Sequence, residues 1–464
     1  MYTNDNICAI ATGSVTSAIA IIRISGYNLL EAIIPNIKFH KPKNIENIKP
    51  RYLYRAIFVE NEQIIDDILF AYYKSPNSYT GEEMIEIFCH GSLYIQGKIL
   101  NILQKAGIRI AQPGEFTLRA YLNNKMDLTQ AEAINDIINS RNEIAHQLAI
   151  QHIRGGISTE IKNLRNDLLN ILTYIELELD FSEEDVEFAS QEKIYTILNN
   201  IIEKIQKLIK SYNYGNVIKN GVLVSIVGET NVGKSTLMNC LLNEDKSIIS
   251  SIPGTTRDII EDSFTYQGIT FRFADTAGIR ETSNEIEQIG IDRALKKAKQ
   301  STIVLLLLNP DDNTNEMINK IKFWKNELND NNKIYAVINK IDKVNEEIIN
   351  FKITAISQYT DKTFAISAKY KININLLLDD MVNYIKSMNI SGSEYIITNS
   401  RQLYALEKAL NSAIEAKKAL DNNYTHDLLA EELKNVNRSL SEIIGEIPTD
   451  EILNEIFSRF CIGK

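Results

Sequence analysis

A chain of 464 residues, 44% of them hydrophobic and 24% charged, is too long for one core and too apolar to stay disordered, so a soluble multidomain protein is expected. A formal net charge of −10 excludes a general polyanion binder, and any nucleic-acid contact must use a local basic patch or a partner. Cys8, Cys89, Cys240 and Cys461 form neither a CxxC pair nor a zinc-ligand spacing, no apolar run reaches the roughly 18–20 residues that span a bilayer, and no basic region precedes the N-terminal apolar stretch; a cytoplasmic protein without membrane contact is predicted.

The first section, 1–123, reads as an α+β domain. Residues 18–25 form an apolar run ending at Gly26, 52–59 and 64–73 read as strands around a short acidic turn, and 92–106 has apolar residues at helical spacing as far as Gly107. From about Leu128 to Asn213, within a first helical part set at 124–216, apolar positions recur every three or four residues and prolines vanish. That predicts two or three long helices, broken near Gly155 and Gly156 and again by the acidic segment 180–187, a solvated loop. Residues 222–227 are a bare apolar run, as in a strand buried on both faces, and 269–273, 302–308, 334–338 and 364–366 repeat it between helical stretches. A mostly parallel sheet with helices on both sides follows, making 217–388 an inserted α/β domain; with the glycine-rich motif G-x-x-x-x-G-K-S directly after its first strand, it is assigned as a P-loop G domain of Ras-like type. The helical pattern resumes over 389–464, so an α-helical domain split in sequence should close on itself around the insertion.

Chemistry is most legible at Gly228-Glu229-Thr230-Asn231-Val232-Gly233-Lys234-Ser235, which fits G-x-x-x-x-G-K-[ST] between a strand and a helix that begins near Thr236. The glycines let successive backbone N–H groups face phosphate oxygens, Lys234 supplies a cation to the β- and γ-phosphates, and the Ser235 hydroxyl suits Mg²⁺. Asp275-Thr276-Ala277-Gly278 follows the next strand, where Asp275 suits the metal's water shell and the Gly278 N–H the γ-phosphate. Between the two, Ser250-Ser251-Ile252-Pro253-Gly254-Thr255-Thr256 reads as a switch loop with Thr256 as a second hydroxyl for Mg²⁺. Asn339-Lys340-Ile341-Asp342 sets the base: the Asp342 carboxylate accepts from guanine N1–H and its amino group and meets an acceptor on adenine. Ser367-Ala368-Lys369 completes the base pocket, and GTP is the expected substrate.

Ile279 stands where many small GTPases carry a water-orienting Gln. Glu281, Glu285 and Glu287 follow it, and the first two read as solvated surface charges. Asn231 either holds a monovalent cation near the phosphates or is simply tolerated in a turn.

Beyond these motifs the chain carries Ile22-Arg23-Ile24-Ser25-Gly26, Pro76-Asn77-Ser78-Tyr79-Thr80-Gly81-Glu82, His90-Gly91, Pro113-Gly114-Glu115-Phe116, the run 122–134 and a terminal Phe460-Cys461-Ile462-Gly463-Lys464. With them it resembles, over essentially its full length, the MnmE (TrmE) family of tRNA modification GTPases. The resemblance implies an N-terminal folate-binding and dimerising domain, a split helical domain and the inserted G domain. It implies a homodimer that assembles with an MnmG-type FAD protein into a heterotetramer. That complex places a (carboxymethyl)aminomethyl group on C5 of wobble uridine 34 of certain tRNAs, using 5-formyl- or methylene-tetrahydrofolate as the one-carbon source. It implies K⁺-activated hydrolysis with Asn231, Ser250, Ile252 and Thr255 as K⁺ ligands and Glu287 orienting water. It implies folate contacts at Arg23, Glu86, Lys125 and Lys464. Taken singly, residues such as Arg23, Glu86 and Lys125 are more often ordinary ion-pair partners, and Cys461 reads as either an active thiol or a small buried apolar group. The chain departs from the family pattern at residues 11–17 and at Ser92, where a second glycine is usual. A rival reading is a GTP-dependent switch in ribosome assembly or signalling. It would need neither the N-terminal section nor the terminal tail.

Overall fold

The computed structural model describes residues 5–13, 15–41, 44–180, 191–244, 263–273, 287–329, 332–388, 395–422, 426–446, 450–458, 460 and 462–463. In the N-terminal part, β1 (Ile7–Ile10), β2 (Ser17–Gly26), β3 (Ile37–Phe39), β4 (Leu53–Glu60), β5 (Gln63–Tyr73), β6 (Glu83–Gly91) and β7 (Arg109–Ile110) form one sheet in the order β3-β4-β5-β6-β2-β1-β7. Neighbours run antiparallel except β7, which is parallel to β1. A short α1 (Leu29–Ile33) and a longer α2 (Leu93–Lys105) complete it. Alternation decides which residues are inside. Ala20, Ile22 and Ile24 of β2 join Ile85 and Ile87 of β6 in a core shared with Ile99 and Leu103 of α2, which leaves Arg23 and the opposed Glu86 on the other face. Strands β1, β3, β6 and β7 were not predicted. In β6 the acidic positions hide the strand pattern, and one of them is neutralised only across the sheet.

The sheet leads through α3 (Glu115–Leu122) into α4 (Leu128–Asn139), α5 (Glu143–Ile153), α6 (Gly156–Asp180) and α7 (Gln191–Asn220). Among the described residues four helices therefore replace the two or three expected over this stretch. The additional break is at Asn142, whose extended backbone and side chain, accepting from Ala145 N at 2.8 Å, start α5. Of the acidic segment predicted as a loop, residues 181–187 lie outside the described residues.

The inserted domain holds β8 (Val222–Val227), α8 (Lys234–Glu244), β9 (Ser263–Tyr266), β10 (Ile269–Phe273), α9 (Glu287–Gln300), β11 (Ile303–Leu308), α10 (Thr314–Glu327), β12 (Lys333–Ile338), α11 (Glu346–Ile356), β13 (Lys362–Ala365) and α12 (Ile374–Ser387). Its sheet has the order β13-β12-β11-β8-β10-β9 and is parallel apart from the edge hairpin β9–β10. Every residue of β11 is buried, as a strand with apolar helices on both faces must be. Ile303, Leu305 and Leu307 enter one core and Val304, Leu306 and Leu308 the other.

The chain then returns to helix in α13 (Ser400–Asp421), α14 (His426–Ile444) and α15 (Asp450–Ser458). Helices α13 and α14 close on the earlier helices in one core, where Ile161, Leu168, Ile201 and Ile205 meet Leu406, Ala409, Leu433 and Leu440, while Leu453 and Phe457 of α15 pack with Leu118 of α3 and Leu128 and Ala131 of α4. A polar joint fixes the register. Glu132 of α4 takes the Arg401 guanidinium at 2.8 and 3.1 Å and Gln402 Nε2 at 2.7 Å, while Arg401 also donates to the Glu442 and Ile443 carbonyls. Removing one member of so buried a pair costs about 3–5 kcal/mol. Nearby, His152 Nε2 donates to Ile396 O at 2.9 Å, and burial holds the imidazole below its usual pKa. The architecture is thus an α+β domain, a helical domain and an inserted α/β P-loop domain. Among the described residues no helix is long and apolar enough to cross a membrane.

Candidate functional site

Strand β8 ends at Val227, and the next residues leave the sheet in conformations that few side chains allow. Gly228 and Gly233 have φ of 143° and 104°, and Asn231 takes 59° without being glycine. A Cβ at Gly228 would lie 2.5 Å from Leu307 O, and one at Gly233 only 2.3 Å from Asn339 Nδ2. Glycine at these two points is what lets the loop wrap tightly and present its N–H groups. Helix α8 starts at Lys234 with Ser235 and Thr236 exposed at its positive end. Lys234 Nζ donates to Gly228 O at 2.8 Å and Glu229 O at 2.7 Å, so its ammonium is held across the mouth of the loop. Burial lowers its pKa, against an opposing pull from Glu229.

Two further loops meet this one. Asn339, buried at the end of β12, donates from Nδ2 to Val232 O at 2.9 Å and accepts at Oδ1 from Ala368 N at 3.1 Å. One side chain thus ties the phosphate loop to the loop after β13. Lys340, itself at φ 64°, donates to Asn231 O. Ser367 Oγ donates to Asp342 Oδ1 at 2.6 Å, fixing a carboxylate that is otherwise exposed. Ile341 N bonds Ile366 O at 3.2 Å, and Lys369 stands exposed beside them. Hence Asn231, Val232, Gly233, Lys234, Ser235, Thr236, Asn339, Lys340, Ile341, Asp342, Ser367, Ala368 and Lys369 converge from three loops at the same end of the parallel strands, where open α/β sheets bind ligands. Ser250, Ser251, Ile252, Pro253, Gly254, Thr255, Thr256, Asp275, Thr276, Ala277, Gly278, Ile279, Glu281 and Glu285 lie outside the described residues. Glu287 is the first residue of α9, and its side chain is outside the description.

A second cluster forms on the face of the N-terminal sheet opposite α2. Arg23 and Glu86 face each other across β2 and β6, with Arg23 Nε and Nη2 at 3.0 and 2.8 Å from Glu86 Oε1. Tyr73 OH donates to Glu86 Oε2 at 3.1 Å, so both carboxylate oxygens have partners. Arg23 Cζ lies 5.3 Å from the Tyr79 ring centroid and 5.9 Å from that of Phe116. Burial raises the phenol pKa of Tyr73, with Glu86 adding to it, and that of Tyr79. The loop that carries Tyr79 also accepts, at Pro76 O, from Lys125 Nζ at 2.8 Å. Below it, Arg119 donates to Glu82 at 3.1 Å and Glu115 at 2.9 Å, and Ser25 Oγ donates to Glu82 at 2.8 Å. These buried charges hold the loop and α3 to the sheet. The chain end approaches from α15: Phe460 packs with Phe457 and Leu118, and a Cβ on Gly463 would lie 2.2 Å from Ile10 O. Ile10 follows Ala9, which faces Arg23. Cys461 and Lys464 lie outside the described residues.

Comparison with known proteins matches residues 128–461 to the MnmE helical domain and 6–125 to the GTP-binding protein TrmE N-terminus. Proteins named tRNA modification GTPase MnmE from Flavobacterium johnsoniae, Christiangramia forsetii and Bacteroides fragilis (strain ATCC 25285) are 44%, 42% and 43% identical to it. The first two matches cover 100% of both chains and the third 99% of both. The chain belongs to the MnmE family of tRNA modification GTPases. The MnmE helical match spans the inserted domain, and α6 and α7 before it share one core with α13 and α14 after it. The MnmE-type tail Phe460-Cys461-Ile462-Gly463-Lys464 has a structural counterpart in the seat of Gly463 against β1. Tyr73, Tyr79 and Phe116 were not singled out as site residues by the sequence reading. Tyr79 and Phe116 lie inside segments that carry the resemblance, but Tyr73 is recognisable only from the register of β5 on β6.

Proposed function

We propose that this protein hydrolyses GTP with Mg²⁺ as one half of a machine that modifies tRNA. The observation that carries the reading is the Asn339 side chain, which locks the phosphate loop to the base-reading loops. That link makes triphosphate and guanine recognition parts of one site. Ser235 fits a Mg²⁺ ligand by its place at the start of α8 beside Lys234, and Thr256 and Asp275 would complete the shell. The metal, when bound, would neutralise charge on the phosphates, while this chain's backbone N–H groups and Lys234 orient them. Asn231, Ser250, Ile252 and Thr255 would hold K⁺, and Glu287 would orient the attacking water.

The one-carbon side of the reading rests on the N-terminal cluster. A folate presents N–H donors on its pterin and carboxylates on its glutamate tail. Glu86 fits the first, while Arg23, Lys125 and Lys464 fit the second. Gly463 is seated against Ile10 of β1, the strand whose Ala9 faces Arg23. In this reading the protein is a cytoplasmic homodimer, works with an MnmG-type flavoprotein in a heterotetramer, and adds a (carboxymethyl)aminomethyl group at C5 of uridine 34.

Mass spectrometry of wobble uridines in cells with and without the gene tests the central statement. Loss of the modified nucleosides is expected; unchanged wobble uridines defeat it. Turnover of GTP in KCl should exceed that in NaCl severalfold, and equal rates would remove the cation ligands from the account.

A further inference from the structure

We infer that the outer edge of the N-terminal sheet, β3 and the approach to β4, is a docking surface for the phosphodiester backbone of RNA. The inference rests on the tRNA-modification reading and names the surface through which the substrate reaches the one-carbon cluster.

Charge is the first ground. The described residues of 38–55 carry Lys38, Lys41, Lys49, Arg51 and Arg55 against the single anion Glu46, a net +4 in a chain of −10, so the rest of the chain carries −14. A polyanion meets repulsion over most of this molecule and attraction here. Accessibility is the second. Lys38, Lys41, Lys49, Arg51 and Arg55 are all exposed, and Lys38, Lys41 and Lys49 form no ion pair with a described residue. The acidic groups facing the patch are Glu46 and Asp67. Asp67 is engaged by Arg55 at 2.7 Å and His40 at 3.4 Å.

The third ground is an aromatic surface among the cations. Tyr52 is 57% exposed, with its ring centroid 4.8 Å from that of Tyr54, which anchors it to the sheet. A rigid exposed ring next to the exposed Arg51 in the chain is suited to stack an unpaired base. The fourth is continuity with the site. Arg51 N donates to Tyr72 O at 2.7 Å and Arg51 Nη2 to Asn77 O at 3.3 Å. Asn77 belongs to the loop whose Tyr79 covers Arg23, so RNA held at this edge lies alongside the Arg23–Glu86 cluster. Edge-strand lysines alone would serve to discourage sheet-to-sheet association, but that role calls for neither the exposed tyrosine nor the Arg51 bridge.

The test uses the full-length protein and a fluorescein-labelled tRNA transcript with uridine at the wobble position, followed by anisotropy against salt. The wild type should bind, and Lys38→Gln/Lys41→Gln/Lys49→Gln should weaken binding roughly tenfold near 0.1 M salt and flatten the log K against log salt slope by about 2–3. The triple Arg variant should bind like wild type, and Tyr52→Ala should lose affinity without changing the slope. Hydrolysis of GTP should be unchanged in all of them. Equal affinity for wild type and the Gln triple variant overturns the inference, as does a wild type that ignores the transcript or prefers phosphatidylserine vesicles to it. Complementation separates this from failure of the functional reading. Normal wobble nucleosides in a strain carrying the Gln variant, together with unaltered transcript binding, sink the surface alone. Normal nucleosides in the deletion strain sink the modification reading.

Discussion

The phosphate loop and the Arg23–Glu86 cluster recognise their ligands by opposite means. The loop works with backbone: Gly228, Gly233 and a left-handed Asn231 bend the chain until N–H groups face outward, and its walls are the carbonyl of Leu307 and the amide of Asn339. The cluster works with side chains, and those side chains are already paired with one another, Arg23 and Tyr73 taking both oxygens of Glu86. A backbone site is shaped in advance and tolerates almost no added atom. A side-chain site must exchange partners to bind, so its groups are adjustable and its substitutions should be graded.

The base-reading end of the backbone site gives the largest expected effect. Asp342→Asn turns an acceptor into a mixed group, and the remaining Asp342 contact, from Ser367 Oγ, does not restore it. Preference for GTP over xanthosine triphosphate should fall by about three orders of magnitude, as when a buried polar pairing is broken. Competition binding with both nucleotides measures it, and retained guanine preference would contradict the role of Asp342. Next comes Gly233→Ala. Its Cβ meets Asn339 Nδ2 at 2.3 Å at a φ that L side chains avoid. A cost of about 3 kcal/mol, or roughly a hundredfold in nucleotide affinity, is expected, with the fold intact by circular dichroism. Normal binding of a fluorescent guanine nucleotide would show that the loop is not held by that contact.

The same contrast explains what could be read from residues alone. The requirements of the phosphate loop fall within eight consecutive residues, so spacing reveals them, and the strand before and helix after appear where the pattern places them. Arg23 and Glu86 are 63 positions apart and meet only through the register of β2 on β6; no local pattern announces such a pair, and only resemblance pointed to it. The same reason hides β6, whose Glu86 interrupts an apolar run and is satisfied across strands by Arg23 and Tyr73. The break before α5 was in principle readable, since Asn142 is a good cap, but three residues without Gly or Pro leave the helical period nearly undisturbed.

A graded response is the test on the side-chain side. Tyr73→Phe leaves Glu86 Oε2 without the 3.1 Å donor, so a pterin N–H no longer competes with a phenol for it. One neutral hydrogen bond is worth about 1 kcal/mol, and 5-formyl-tetrahydrofolate should bind about three- to fivefold more tightly in calorimetry. Weaker binding would mean that Tyr73 touches the ligand itself. Unchanged binding would mean that Glu86 does not exchange partners, and the proposed contrast would lose its second half.

The smallest expected effect lies where the two modes of recognition overlap. Glu229 sits inside the phosphate loop, an anion beside a site for polyanions, and Lys320 Nζ of α10 holds its carboxylate at 2.7 Å while also pairing with Asp312 at 2.8 Å. The Glu229 carboxylate is more than half exposed, so solvent screens it and the pair should be worth well under 1 kcal/mol. Lys320→Met removes the counter-charge, and GTP, with more negative charge than GDP, should lose about two- to threefold more affinity than GDP at low salt. The difference should vanish near 0.5 M salt, where the Debye length falls to a few ångströms. Glu229→Gln in the same chain should restore the wild-type ratio, because it removes the anion that Lys320 offsets. If the double variant stays as weak as the single one, Lys320 supports the loop by packing, and the side-chain charge has no part in a site that backbone alone then governs.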